Sequence, residues 1–255
     1  MMLTVVKVGS NILTRPDGHV NVTRLSSIVD QIAALHSAGH QLILVSSGAV
    51  ACGRGEMKAV HPLDSVEQRQ LYSAMGQVKL MNLYYSLFRE YGIHVGQVLT
   101  MKENFTSERQ YQNQKSCISV MLENGIVPIV NENDTVSVTE LMFTDNDELS
   151  GLMARMMNAD NLILLSNVDG LLGEPAEDGS RHTVDKVYSA DDVERFVTDG
   201  KSSFGRGGMK SKCSTAIEVA NAGISVFIAN GTRDNILQHV LERDMTVPFT
   251  EFVGG

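Results

Sequence analysis

The sequence predicts an α/β protein with a mostly parallel central sheet and helices on both faces. Three observations carry that reading. Short β-branched runs alternate with helix-period patterns along the chain, as in repeated βαβ units. Small residues and glycines recur just after those runs, where open α/β sheets bind ligands. The 255 residues, 43% of them hydrophobic, suffice for one large core, and no low-complexity linker, internal repeat or heptad array interrupts them. One continuous domain over 1–255 is expected, with a lobe of about 1–150 and another of about 151–255.

Residues 3–8 (LTVVKV) read as a first strand. Leu25, Ile28, Val29, Ile32 and Leu35 share one helical face, and Gly39 is a C-terminal stop. Residues 41–46 (QLILVS) form a buried strand that ends in a small-residue turn, SSGAVACGRG. A long helix, or two, covers 65–91. One stripe holds Leu71, Ala74, Met75, Val78, Met81, Tyr85 and Phe88, and a second holds Leu80, Tyr84, Leu87 and Tyr91. One helix cannot bury both stripes against one sheet, so the second is expected at an interface between copies.

Residues 93–100 give another strand, followed by a helix to about Asn124 and a strand at 126–130. Pro128 counts against that last strand, because proline cannot donate to a ladder. Residues 135–143 read as a small exposed hairpin, and Leu149, Leu152, Met153, Met156 and Met157 as a helical stripe. A strand at 161–166, a polar loop through about 188 and a helix near 189–198 follow. Met209, Cys213, Ala216, Ile217 and Ala220 mark a last helix ending at Gly223, before the strand ISVFIA.

A net charge of -9 argues against general nucleic-acid binding, which needs a basic face. It leaves room for a phosphorylated small molecule held by local lysines and helix N-termini. Cys52, Cys117 and Cys213 are odd in number and widely spaced, which favours a reduced compartment over a disulfide frame. No apolar run approaches the ~20 residues of a membrane helix, and the first ten residues lack a signal-peptide core. A cytoplasmic protein without membrane contact is expected.

TDGKSSFGRGGMKSK (198–212) nearly spells a phosphate-binding P-loop twice. Gly200, Lys201 and Ser202 supply its last three positions, but Arg195 stands where the first glycine belongs. Lys210 and Ser211 follow Met209 rather than a glycine. The P-loop reading fails.

At the strand ends stand Lys7, Gly9 and Ser10, then Ser46, Ser47 and Gly48, then NENDTV (131–136), then Ser166 and Asn167. Each has a plain structural explanation. Asp145 and Glu148 resemble a helix capping box, Asp147 a favourable charge at a helix start, and NENDTV a turn. Together they offer anion holding by separated lysines and glycine-rich turns, and cation holding by two acidic clusters. Phosphoryl transfer asks for that pair, since the protein chiefly positions groups and neutralises spreading charge.

VVKVGSN, VSSGAVACGR, YGIHVGQVL, IVPIVNENDTV, TDNDELSG and GRGGMKSK occur in an order and spacing that resembles the glutamate 5-kinases of the amino-acid kinase family. The resemblance covers essentially the whole chain; NEND followed by DND is its specific part. It implies the three-layer, acetylglutamate kinase-like fold and phosphorylation of the γ-carboxylate of L-glutamate by ATP with Mg²⁺, at the opening of proline synthesis. It implies that Lys7 and Lys212 meet the transferring phosphate from opposite sides while Asp147 holds both. Ser47, Asp134 and Asn146 match the glutamate-binding positions, in the lobe of about 1–150. Lys7, Ser166, Asn167, Arg206, Gly207, Gly208, Met209, Lys210, Ser211 and Lys212 match the ATP-binding ones, chiefly in the lobe of about 151–255. No residue is assigned to a metal. A homodimer or homotetramer is expected.

Many members carry threonine where Arg206 stands, and many carry a C-terminal PUA domain that has no counterpart before Gly255. Rival readings are a kinase of the same fold acting on aspartate, carbamate, N-acetylglutamate or a nucleoside monophosphate, and a non-catalytic amino-acid sensor. NENDTV with TDNDEL argues against the first, and the two lysines against the second.

Overall fold

The computed structural model describes residues 1–15, 17–137, 142–176, 179–196 and 208–254. Among them eight strands make one sheet in the order β3-β4-β2-β1-β5-β9-β10-β8. In chain order these are β1 (Leu3–Val8), β2 (Gln41–Ser46), β3 (Val95–Thr100), β4 (Val127–Glu132), β5 (Asn161–Ser166), β8 (Lys186–Val187), β9 (Ser225–Asn230) and β10 (Phe249–Phe252). The β9–β10 pairing is antiparallel and the rest are parallel. The first, second and fifth strands match the sequence expectation residue for residue, because buried parallel strands are near-continuous apolar runs with clear ends.

Successive side chains on a strand point to opposite faces, and that alternation sorts the core into two layers. Val6, Val8, Leu42, Leu44, Ile163 and Leu165 pack with α2 (Val22–Ser37), α4 (Ser65–Arg89) and α10 (Ile236–Glu242). Val5, Ile43, Val45, Leu162 and Leu164 pack with α6 (Glu108–Glu123), α7 (Asn146–Met157) and α9 (Met209–Ala220). Helices thus cover both faces of the sheet.

Several expectations are corrected. The loop through about 188 contains a hairpin, β6 (Leu172–Pro175) with β7 (Arg181–Thr183), and then β8. The turn after β2 is a helix, α3 (Ala49–Glu56), hidden in the sequence by Gly53 and Gly55, which lower helix propensity. Strand β4 lies between two neighbours despite Pro128. Its ladder with β2 is registered only from Ile129, so the missing N–H falls outside it. Residues 134–136 form a turn rather than a strand, and Phe143 is buried rather than exposed; 138–141 of the expected hairpin lie outside the described residues.

The region 65–91 holds one 25-residue helix, opened by a full capping box between Asp64 and Glu67. Its buried face is not the stripe richest in apolar residues. Tyr72, Ser73, Gly76, Leu80, Tyr84 and Phe88 point inward, while Met75 (44% exposed), Val78 (64%) and Tyr85 (52%) face out. The small residues decide this. A Cβ at Gly76 would stand 1.8 Å from the Ala49 carbonyl oxygen, and one at Gly53 would stand 1.9 Å from that of Tyr72. Helices α3 and α4 approach at backbone distance, and that contact fixes the rotation of α4.

Strand β1 pairs with β2 on one edge and β5 on the other. The chain leaving β1 runs through α1 (Ser10–Leu13) and α2 to β2, and the chain leaving β5 leads to β9 on the opposite side. The carboxyl ends of β1 and β5 therefore flank the crevice of a topological switch point.

Candidate active site

Lys7 is the penultimate residue of β1 and shares the parity of Val5, so it faces the α7 layer. Helix α7 begins beneath it. Asp145 caps that helix, its Oδ1 accepting the amides of Asp147 at 2.8 Å and Glu148 at 3.0 Å. Glu148 does not close a box on Asp145; its Oε2 accepts from Thr144 N at 2.7 Å and its Oε1 meets Lys102 at 2.7 Å. The first turn thereby aims Asp147 inward, with no exposed surface.

Both oxygens of Asp147 carry an ammonium. Lys7 Nζ lies 2.6 Å from Oδ1, and Lys212 Nζ donates to Oδ2 at 2.6 Å. Lys7 is 4% exposed and Lys212 8%. Lys212 stands in the first turn of α9, which can approach α7 because position 151 is glycine: a Cβ there would meet Thr215 at 2.8 Å and Val219 at 3.0 Å. Ser211 Oγ, also on α9, donates to Asp145 Oδ2 at 2.5 Å.

Electrostatics follow from burial. Desolvation pulls the Lys7 ammonium below its usual range, and Asp147 opposes that shift. Desolvation alone would raise the Asp147 carboxyl, but the charges of Lys7 and then Lys212 outweigh it and hold the group below the ordinary carboxylate value. Two buried ammonium groups share one carboxylate at the end of β1, where the charge of Asp145 also acts on Lys7. That cradle suits an anion whose charge spreads over several oxygens.

Ser47 and Asn146 are brought together. Asn146 Nδ2 donates to Ser47 Oγ at 2.9 Å, Ser46 O at 3.1 Å and Asn131 Oδ1 at 3.0 Å. Asp134 stands apart from that pair and is engaged by Arg69, whose Nε donates to its Oδ1 at 2.5 Å. Arg69 also meets Glu132 Oε2 at 2.5 Å. Two carboxylates share one guanidinium, and they border a cleft of about 250 Å³ that Gln77, Asn133 and Thr135 help line. Sequence reasoning missed Arg69, Gln77 and Asn131. Asn131 and Glu132 lie inside the quoted NEND motif, whereas a lone arginine in EQRQ carries no pattern that would single it out.

Ser166 ends β5, buried, its carbonyl accepting from Gly231 N at 2.8 Å, and Asn167 is exposed beyond it. Gly208 caps α9, followed by Met209, exposed Lys210, Ser211 and Lys212. Arg206 and Gly207 lie outside the described residues, as do Gly200, Lys201 and Ser202. Among the described residues no group of three or more His, Cys, Asp and Glu gathers for a metal. Asp145 and Asp147 spend their oxygens on amides, Ser211 and the lysines, so the cradle itself is no cation cage. That donor set fits Mg²⁺ only as an ion carried by substrate phosphates and water.

The model of the amino acid kinase family matches residues 2–230. The glutamate 5-kinase of Bacteroides thetaiotaomicron is 57% identical over 248 residues, spanning 97% of this chain and 69% of that protein. That of Chlorobaculum tepidum is 46% identical over 92% of this chain and 65% of its own length. That of Clostridium acetobutylicum is 40% identical over 93% and 90%. Among solved structures, carbamate kinase from Giardia lamblia bound to AMP-PNP superposes with a TM-score of 0.68 at 17% identity, covering 100% of this chain and 99% of that one. UMP kinase from Ureaplasma parvum gives 0.62 at 14%, covering 99% and 98%. At those identities the two structures speak for the fold.

Proposed function

Because the chain belongs to the amino acid kinase family, we propose that its cradle transfers the γ-phosphoryl group of ATP to the γ-carboxylate of L-glutamate, the first step of proline biosynthesis. A carboxylate oxygen of glutamate forms the new bond to phosphorus. The bond from phosphorus to the β,γ-bridging oxygen breaks, its electron pair leaving with ADP, and L-glutamyl 5-phosphate remains. The acceptor is already ionised, so no general base is required.

The observation that carries this reading is the pair of buried lysines on the two oxygens of Asp147. Lys7 and Lys212 neutralise charge on the phosphoryl oxygens from two sides, and Asp147 holds them against their mutual repulsion. Ser47, Asn146 and Asp134 hold glutamate, within a lobe of about 1–150. The carboxylates of Glu132 and Asp134 at the cleft favour its ammonium group. Ser166, Asn167 and the residues from Arg206 to Lys212 hold ATP, within a lobe of about 151–255. Mg²⁺ accompanies the nucleotide as a companion of its phosphates.

The same reading extends to assembly as a homodimer or homotetramer. Its support is the exposed apolar stripe of α4, Met75, Val78 and Tyr85. Among the described residues no helix is long and apolar enough to cross a membrane, and we place the protein in the cytoplasm.

The test is ADP release with glutamate, aspartate, carbamate, N-acetylglutamate and UMP offered in turn, with and without Mg²⁺. Glutamate alone should support turnover. Turnover with another acceptor and none with glutamate would overturn the assignment.

A further inference from the structure

Tyr84 lies in the C-terminal half of α4, fully buried among apolar neighbours of the core, yet its hydroxyl is not idle. It sits 2.8 Å from Ser46 Oγ, at the carboxyl end of β2. Ser46 Oγ donates to the carbonyl oxygen of Ser47 at 3.1 Å. A serine hydroxyl has one proton, so with that proton spent Tyr84 is the donor to Ser46. Burial pushes the Tyr84 phenol well above its usual range, which keeps the donor protonated.

The relay therefore runs from Tyr84 through Ser46 to the peptide joining Ser47 and Gly48. A trans peptide points its carbonyl and its N–H in opposite directions. With the Ser47 carbonyl drawn toward Ser46, the Gly48 N–H is turned away from Tyr84. The peptide can take this orientation because Gly48 has φ 101°, a left-handed conformation that a residue with a side chain adopts at a cost. From the other side, Asn146 Nδ2 grips Ser46 O and Ser47 Oγ. The turn is thus held between α4 and α7, and Ser47 N donates to Val8 O at 3.2 Å, one residue past Lys7.

We propose that Tyr84 is a positioning residue for the acceptor substrate: through Ser46 it sets the Ser47–Gly48 peptide against which glutamate's carboxylate is placed. A core tyrosine with a purely structural hydroxyl would affect only stability. A positioning tyrosine must also affect acceptor affinity while leaving the nucleotide untouched, because no link of the relay reaches α9 or β5. The proposal rests on the glutamate kinase reading.

The experiment uses Tyr84→Phe, which keeps the ring and removes the hydroxyl, with Ser46→Ala as a second, smaller lesion should the first fold poorly. Loss of one neutral hydrogen bond corresponds to a rise in KM for glutamate of about 3- to 10-fold, with KM for ATP unchanged. The double variant should be no worse than the single ones, since both break the same relay. Independently of activity, the ¹⁵N–¹H resonance of Gly48 should shift and its amide exchange should quicken in either variant. If the wild-type protein does not phosphorylate glutamate, the functional reading fails while the Gly48 resonance still tests the relay. A lowered melting temperature with unchanged glutamate KM and an unmoved Gly48 resonance would overturn the proposal, as would additive effects in the double variant.

Discussion

Asp147 holds an ammonium on each of its oxygens and has no exposed surface. From sequence alone its neutralisation resembles the loss of a helix N-terminal charge, worth about 0.3–1 kcal/mol, with a melting temperature that moves little. Burial changes that. Asp147→Asn leaves two buried ammonium groups without the carboxylate that bridges them, a loss of about 3–5 kcal/mol. Turnover of the folded fraction should fall about 10²–10³-fold as the preorganised cradle is lost. The two effects separate by pH. Lys7 already binds its proton less tightly when folded than at the usual 10.5, and Asp147 opposes that shift. In the variant the folded protein sheds the proton at still lower pH, so its stability rises between that value and 10.5. Urea midpoints at pH 7 and pH 10 should show the gap to wild type narrowing; a constant gap would contradict the ion-pair account. For Asp134→Ala, the KM for glutamate should rise by the equivalent of about 1.5–3 kcal/mol with that for ATP little changed. Glu132 remains to pair Arg69, so the melting temperature should hold. An unchanged glutamate constant would reduce Asp134 to a partner of Arg69. Lys7, Asp147 and Lys212 were legible because family motifs quote them. Arg69 was not, because its position is set by how α4 docks and not by any local pattern.

At the scale of elements, strands and the buried faces of α2, α7 and α9 were legible, and the face of α4 was not. A buried parallel strand announces itself by an unbroken apolar run, and β1, β2 and β5 end where their runs end. Helix α4 misleads because its most apolar stripe is outside. Its orientation comes from Gly76 against α3, a backbone contact that hydrophobic periodicity does not encode. Gly76→Ala should therefore cost more than the ~1–3 kcal/mol of ordinary overpacking, because the obstructing atoms are backbone. Thermal melting checks the cost. Since α4 also carries Arg69, Gln77 and Tyr84, a shift of the helix should raise the glutamate KM as well. A Gly76→Ala protein with wild-type melting and affinity would show that α3 can move aside freely.

At the scale of the molecule, the proposed interface has a different membership from the expected stripe. Leu80 and Tyr84 of the second stripe are core residues, so the exposed apolar surface open to a partner copy is Met75, Val78 and Tyr85 of the first stripe with Tyr91 of the second. Light scattering should report a dimer or tetramer at micromolar concentration, and Val78→Glu should shift it toward monomer by burying a charge at the contact. A wild-type monomer would remove the proposal. Sheet order was out of reach of the sequence, since pairing β1 with β5 joins segments far apart in the chain and no local signal records it. That pairing has a consequence for biosynthesis. Strand β1 leaves the ribosome first, yet one of its edges is vacant until β5 emerges, and Lys7 is without its carboxylate until residue 147 and without its companion until residue 212. A nascent chain carries an apolar strand with a vacant edge and an unpaired cation until those later residues emerge. Such a chain invites mispairing and capture by chaperones, and it completes its lysine–aspartate cradle only once residue 212 has emerged.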